Sequence, residues 1–424
     1  MVDVAQLRPG MFVELALGWM AHPFPTSSFK ITSAKQIDSI RALGLTQVRY
    51  VPGKSDPPET APDTATAAQA AQRAAAIERE RTQMLEQQAR KQRSAQLGLQ
   101  QRDLIACERR FGQTMRQYKL ALELIATRPQ EATAQCRALV DGFVSELTGV
   151  EESAIRLLSD GIGDRLAMHP VNVSVLSLLL GKYLGLAADE MSDLGLAAFL
   201  HDIGKTQIPD RVRWLEDSFS SAEQKAYQAH VAQSVLLGKR MELPPGALQA
   251  IAQHHEMVDG SGFPSRIKGD AMSRPAKILA LINRYEDLCN PSRPAAALTP
   301  HEALALIFAQ LKPRFDAVVL GAFIRMMGVY PPGSVIQLND DRYAMVVSVN
   351  STRPLKPRVI VFDPVVSKHE ALILDLETSP ALGIRRNLKP VGLPRAAMDY
   401  LSPRQRICYF FERAVDTPGA GGKA

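Results

Sequence analysis

Cysteine is scarce in this chain: Cys107, Cys136, Cys289 and Cys408 are the four in 424 residues, they lie far apart, and no C-x-x-C pair occurs. That excludes a disulfide framework and suits a reducing compartment. A long hydrophobic run is also missing. The nearest thing, Val171–Ala187, is interrupted by Asn172, Ser174, Ser177, Lys182 and Tyr183. It falls short of the ~18 uninterrupted apolar residues of a membrane helix, so no span is expected. The opening MVDVAQLRPG lacks the basic-then-apolar order of a secretion signal, and a cytoplasmic location is expected. Charge of one sign is not in large excess. Lys and Arg number 50 against 44 Asp and Glu, a net +6. That suits a polyanionic small ligand and is too little to argue DNA binding. With 22% charged and 46% hydrophobic residues, a chain disordered throughout and a collagen-like chain are both excluded. The length allows two or three domains.

Residues 1–51 read as a small α+β module. Pro9-Gly10 marks a turn before a strand, Ser33 stands as an N-cap before Ile37, Ile40 and Leu43 at helical spacing, Gly44 ends that helix, and TQVRYV alternates as a strand. Residues 52–100 read as a linker, PGKSDPPETAP, followed by a helical spacer free of Gly and Pro from Thr64 to Leu97. Ile77, Met84 and Leu85 are nearly its only large apolar residues. The spacer is either a solvated helix or a weak dimeric coiled coil, since Ile77 and Met84 are seven apart. From 101 to 328 helix follows helix, with VNVSVLSLLLGKYLG apolar on nearly every side and therefore buried. Asp189 is expected to cap the helix ending at Gly204. No strand pattern interrupts this stretch, which predicts an all-α domain. From 329 to 412 the period becomes two in SVIQL, YAMVVSV, PRVIVF and ALILDL, predicting a small β-rich subdomain. Residues 413–424 read as a disordered tail. The fold class expected is mainly α.

Three of the eight histidines, His22, His301 and His369, have no metal-like neighbourhood. The other five, His169, His201, His230, His254 and His255, fall in the helical stretch at steps of 32, 29 and 24 residues and then adjacent, and Asp202 follows His201. Such steps suit ligands delivered by successive helices. Neutral imidazoles and carboxylates are natural ligands for Fe, Mn or Zn. A carboxylate can bridge two ions, and two ions ~3.5–4 Å apart can clamp a phosphodiester and ionise water. His201 and Asp202 fall near a helix C-terminus, where the macrodipole favours a cation. Lys205, one turn on, can neutralise charge developing on phosphate.

The strings AFLHDIGKTQIPDRV, YQAHVAQS and IAQHHEMVDGSGFPSRIKGDAMSRPAKILALINRYEDL strongly resemble the HD-GYP domains of bacteria, a branch of the HD metal-dependent phosphohydrolases. The resemblance covers roughly residues 165–330, and LRPGMFVEL, WMAHPF and IDSIRALGLTQVRYV resemble the small module often found ahead of such domains. It implies an all-α HD fold with two divalent metal ions, Fe or Mn, and hydrolysis of cyclic di-GMP to pGpG or GMP. By position, His169, His201, Asp202, His230, His254 and His255 resemble the metal ligands, Asp202 the bridge, and Lys205 the lysine after the HD pair. Gly262, Phe263 and Pro264 resemble the GYP triplet, a loop linked in the family to diguanylate cyclase domains as partners.

Several positions depart from the family pattern. Asn283 stands where the family carries a metal-binding aspartate and offers only a neutral carbonyl oxygen. Lys277 stands for the usual arginine, keeping charge without the bidentate fork. Arg293 remains as the substrate-binding candidate of the next segment, but Ala295 and Ala296 follow it. Phe263 replaces tyrosine. Arg165 stands where trinuclear members carry an extra acid, so two ions are expected. Glu286 and Asp287, one turn beyond Asn283, are not assumed to replace it. Two rival functions remain: a non-catalytic signalling module, motivated by Asn283, Ala295 and Ala296, and an HD hydrolase for another phosphoester.

Overall fold

The computed structural model describes residues 1–18, 20–58, 64–149, 152–159, 165–214, 218–350 and 353–413, with backbone only at 64–71, 165 and 413. It contains two compact units, Met1–Ala89 and Arg90–Ala424. In the first, strands β1 (Val2–Asp3), β2 (Phe12–Glu14), β3 (Ser28–Lys30) and β4 (Gln47–Tyr50) form an antiparallel sheet in the order β1-β4-β2-β3. Helix α1 (Ala34–Ala42) contributes Ile37 and Ile40 to the small core with Val4, Val13, Ile31 and Val48. Ser33 is the N-cap residue and Gly44 takes φ +73°, as the sequence suggests. Trp19 of the WMAHPF string lies outside the described residues.

Helix α2 runs unbroken from Thr64 to Leu124. Ile77, Met84 and Leu85 are exposed on it, whereas Cys107, Phe111, Met115, Tyr118 and Ala121, at steps of three and four, enter the main core. The expected spacer and the first helix of the helical domain are therefore one element. The helices α3 (Pro129–Thr148), α4 (Arg165–Tyr183), α5 (Ala188–Leu200), α6 (Ser221–Arg240), α7 (Pro245–Gln253), α8 (Arg274–Cys289), α9 (Pro300–Leu306) and α10 (Ala317–Met327) complete the bundle. The apolar α4 packs against α3, α5, α8 and α10, which makes it the buried centre.

Two local expectations need correction. The N-cap of α5 is Ala187, not Asp189; Glu190 reaches back to accept the Ala187 N–H at 3.3 Å. The α-helix also ends at Leu200, and the chain continues through Asp202 into a 3₁₀ turn, Ile203–Gln207. Gly204 lies within that turn, and a Cβ there would stand 2.1 Å from the His230 carbonyl oxygen and 2.4 Å from the Ser234 nitrogen. Only glycine lets the turn lie flat on α6.

The helical stretch is not free of strands. Residues Ser153–Leu157 form β5, which pairs with β7 (Tyr343–Asn350) on one side and β11 (Tyr409–Arg413) on the other. With β6 (Val335–Leu338), β8 (Arg358–Val361), β9 (Ile373–Asp375) and β10 (Ile384–Leu388) they make one antiparallel seven-stranded sheet. All five residues of β5 are buried, so the polar–apolar alternation that marks a half-exposed strand is missing. The short helix α11 (Arg395–Leu401) precedes β11. The expected tail lies, from 414 on, outside the described residues. The molecule is mainly α, with a four-stranded sheet in the N-terminal part and a seven-stranded one that joins Ser153–Leu157 to the C-terminal strands.

The Gly204 contact is with backbone atoms, which have little room to yield. Gly204→Ala should destabilise the fold by about 1–3 kcal/mol, read as a lowered denaturation midpoint. An unchanged midpoint would show that the turn can lift from α6.

Candidate metal centre

Each of the six expected ligands sits on a different packing constraint. His169 is in the first half of α4, His201 and Asp202 follow the last turn of α5, His230 is central in α6, and His254 and His255 follow α7. His201 and His254 are the C-cap residues of their helices, so two helix C-termini bring partial negative charge to one place. All six residues are buried.

The imidazole tautomers follow from their partners. His201 Nδ1 lies 2.8 Å from the Ala198 carbonyl oxygen, His230 Nδ1 2.5 Å from that of Tyr227, and His254 Nδ1 2.6 Å from that of Ile251. A carbonyl oxygen only accepts, so each Nδ1 donates and each Nε2 of the neutral ring presents a lone pair. His169 Nδ1 meets the Glu286 carboxylate. The four Nε2 atoms then face one another in two pairs, His169 with His201 at 3.1 Å and His230 with His254 at 3.3 Å. Asp202 stands between the pairs. Its Oδ2 is 3.4 Å from His169 Nε2 and from His201 Nε2, and its Oδ1 is 3.4 Å from His230 Nε2 and 3.8 Å from His254 Nε2. Oδ1 is buried without a hydrogen-bond partner among the described residues. Facing lone pairs and an orphaned carboxylate oxygen are repulsive as they stand, and a divalent cation in each pair relieves both. The donor set of neutral nitrogen and shared carboxylate oxygen fits such ions. His255 joins Asp202, His230 and His254 in the second group, its ring stacked on Phe263 with centroids 4.4 Å apart.

Electrostatics divides the two halves. Burial pushes His230 down to about 4 and His254 and His255 well below the ordinary imidazole value, their neighbouring imidazoles adding to the effect. At His169 burial is outweighed by the Glu286 carboxylate, and the ring holds its proton more tightly than usual. Burial of Asp202 is outweighed by Lys205 and His201, which hold its carboxyl well below the usual range. Lys205 Nζ is 2.6 Å from Asp202 Oδ2, and this partner outweighs burial and raises its pKa.

Behind His169 lies a buried polar network that sequence reasoning missed. Glu286 also accepts from Asn172 Nδ2 at 3.2 Å and Asn290 Nδ2 at 2.8 Å. The same two amides bind the backbone leading into β11: both donate to the Ile407 carbonyl, at 2.9 and 2.8 Å, Asn290 Oδ1 accepts the Ile407 N–H, and Asn172 Oδ1 accepts the Tyr409 N–H. Glu286 thus orients His169 as an outer carboxylate orients a metal-binding imidazole. Asn290 is one turn on in the sequence, but His169 and Asn172 stand 117 and 114 residues away, so no local pattern signals those two partners. Glu256, in HHE, was equally opaque. It accepts from the N–H groups of Ser265, Arg266 and Ile267 at 2.6, 3.1 and 3.2 Å and so clamps the loop that carries Phe263.

The remaining expected residues divide. Lys205 lines a pocket with His169, Asp202, Thr206, Tyr118 and Trp214, its Nζ 5.1 Å from the Trp214 ring centroid. Gly262 is buried where a Cβ would stand 2.5 Å from the His255 carbonyl oxygen, and the Phe263 N–H donates to that oxygen at 3.1 Å; Pro264 is exposed. The triplet therefore packs the second ligand group as well as forming surface. Asn283 is buried in α8, and its Oδ1 has no hydrogen-bond partner among the described residues. Lys277 and Arg293 are not brought to the pocket. Lys277 Nζ pairs at 3.1 Å with Asp316, the N-cap of α10, and Arg293 lies exposed before a 3₁₀ turn. The side chain at 165 is outside what is described.

A helical bundle holding two imidazole pairs about one aspartate defines a metal-centred class of protein, and comparison with known proteins agrees. The family model for the HD domain matches residues 120–319, and that for "Domain of unknown function (DUF3391)" matches 1–136. The chain carries an HD domain, and the proteins it is similar to are of the HD-GYP type. Among curated proteins it is 27% identical over 378 residues to the cyclic di-GMP phosphodiesterase PA4108 of Pseudomonas aeruginosa, covering 87% of this chain and 86% of that protein. It is 33% identical over 150 residues to the cyclic di-GMP phosphodiesterase response regulator RpfG of Xanthomonas campestris, covering 35% and 39%. Among solved structures it is similar to Bd1817, an HD-GYP-type protein of Bdellovibrio bacteriovorus, at 18% identity over 49% of this chain and 67% of that one, with a TM-score of 0.40.

Two outcomes follow from this geometry. Glu286→Gln should weaken metal binding ~10–100-fold in a Mn(II) titration, with helix content unchanged; wild-type affinity would remove Glu286 as a positioning group. Acidification should also release metal in two steps. The raised pKa of His169 means that a proton competes there at higher pH than at His230. The His169–His201 pair should therefore empty first, and His230→Ala protein should show only that earlier step.

Proposed function

We propose that this chain is a metal-dependent phosphodiesterase that hydrolyses cyclic di-GMP to pGpG or GMP, with its two ions held by His169, His201, Asp202, His230, His254 and His255. The observation that carries the reading is the sharing of Asp202: one oxygen faces each imidazole pair, beside a pocket that Lys205 lines. The relatives named as cyclic di-GMP phosphodiesterases support the substrate. Nitrogen and carboxylate donors suit Fe or Mn, and such ions, when bound in pairs, polarise a phosphodiester and make water nucleophilic at neutral pH.

The protein's own groups do the rest. The Nδ1–H bonds fix the ring orientations in advance, so no reorganisation is needed as charge develops. Lys205 stays protonated at the pocket wall and meets the non-bridging phosphate oxygens. Tyr118, Leu122, Leu166 and Trp214 line the same pocket. Lys277 and Arg293, away from the pocket, bear on substrate only through packing and surface charge.

Three further readings belong with this proposal. The exposed Pro264 edge of the 262–264 loop is the surface offered to a diguanylate cyclase domain. Ile77 and Met84, exposed on α2, are where a second copy would pair through the helical spacer. Cytoplasmic location is supported by four buried cysteines that form no disulfide; among the described residues no helix is long and apolar enough to cross a membrane.

The test is direct. Protein purified without oxygen and loaded with Fe(II) or Mn(II) should release pGpG from cyclic di-GMP, and Asp202→Ala should release none. Cyclic di-AMP and 3′3′-cGAMP belong in the same assay, since relatives from Vibrio cholerae carry the name 3′3′-cGAMP-specific phosphodiesterase. Turnover of one of these alone would replace the substrate; no turnover of any would favour the non-catalytic module.

A further inference from the structure

Helix α8 presents Asn283, Glu286 and Asp287 at positions i, i+3 and i+4, hence on one face. Asn283 is 3% exposed, and its Oδ1 has no hydrogen-bond partner among the described residues. A neutral amide is a weak ligand for a hard cation. Glu286 is engaged by His169, Asn172 and Asn290. Asp287 is different. It is half-buried, and among the described residues it makes no hydrogen bond or ion pair at contact distance. One ligand atom each from His169, Glu286 and Asp287 nevertheless lie within 4.8 Å of one another. Its charge is also felt at Lys205, whose ammonium sits on Asp202 Oδ2. The carboxylate therefore lies on the side of the His169–His201 half, grouped with His169 and Glu286 and not with His201 or Asp202.

We propose that Asp287 supplies that half with the anionic ligand that position 283 does not, so that the acidic group of the site is displaced by one turn of α8 rather than lost. This rests on the two-metal reading above. The His169–His201 pair otherwise has only its share of Asp202 as anionic oxygen, and that oxygen is also claimed by Lys205. A second carboxylate restores the charge that a divalent ion needs in a buried site. Asn283 then serves as a neutral donor with its free carbonyl oxygen.

The test is metal stoichiometry, not turnover. Full-length wild type, Asp287→Asn, Asn283→Asp and the double variant are stripped of metal, titrated with Mn(II), and read by elemental analysis and by the spectroscopic signal of bound Mn(II). Wild type should bind two equivalents. Asp287→Asn should keep one, or bind the second at least ~10-fold more weakly, since loss of a direct ligand should exceed the ~10–100-fold seen for outer groups. The double variant should recover the second equivalent, which a folding defect would not allow, and Asp287→Glu should retain it. Two wild-type equivalents with an unchanged Asp287→Asn titration would overturn this inference alone. A wild type that binds no Mn(II) would overturn the metal reading beneath it.

Discussion

Four imidazole nitrogens in this protein are turned toward one another with their lone pairs bare. The cause lies on the far side of each ring, where Nδ1 donates to Ala198, Tyr227 and Ile251 or meets Glu286. In a buried site such an arrangement is unfavourable by itself, because repulsion is little screened where water is excluded. The helix C-termini at His201 and His254 add partial negative charge to the same volume. Everything in the site therefore favours positive charge at two points. In the structure as described, Lys205 supplies part of it by resting on Asp202 Oδ2.

Holding this geometry falls to elements far from it in sequence. Gly204 lets the turn after Asp202 touch α6, which fixes His230 relative to Asp202. Gly262 and Glu256 close the loop that stacks Phe263 on His255. The C-terminal sheet reaches the centre through the backbone of Ile407 and Tyr409, bound by Asn172 and Asn290, which also hold Glu286. That gives β11 a task beyond covering helices: it completes the hydrogen bonding of the carboxylate that orients His169. Buried amides are well suited to this because each can donate and accept at once.

What the sequence made legible was local. Adjacent His-Asp and His-His pairs, and steps of 24 to 32 residues between them, suit successive helices delivering ligands, and the resemblance to HD-GYP domains singled out the six residues. The alternating segments SVIQL, PRVIVF and ALILDL contain β6, β8 and β9, and YAMVVSV covers β7 up to its last residue, Asn350. The strand at 153–157 was hidden because both its faces are covered. Glu286, Glu256, Asn172 and Asn290 were hidden for another reason. A carboxylate or amide on a helix has many possible partners, and apart from the Glu286–Asn290 pair, one turn apart at the end of α8, theirs are backbone groups or residues brought near by the tertiary fold.

The unequal environments of the two halves bear on how the site works. The group of His230, His254 and His255 is all imidazole apart from Asp202, deeply buried, with every ring pushed toward its neutral form. The group of His169 and His201 carries Glu286 behind it, Asp287 beside it and Lys205 in front of it, and it borders the pocket. Charge is therefore concentrated on the half that borders the pocket, and neutral donors on the other. The ammonium of Lys205 stands at that pocket, and Asp202 beside it outweighs the burial that lowers its pKa. The carboxylate shared by the two imidazole pairs thus has a second consequence: it keeps a cation at the pocket wall, where the proposed reaction has its phosphate.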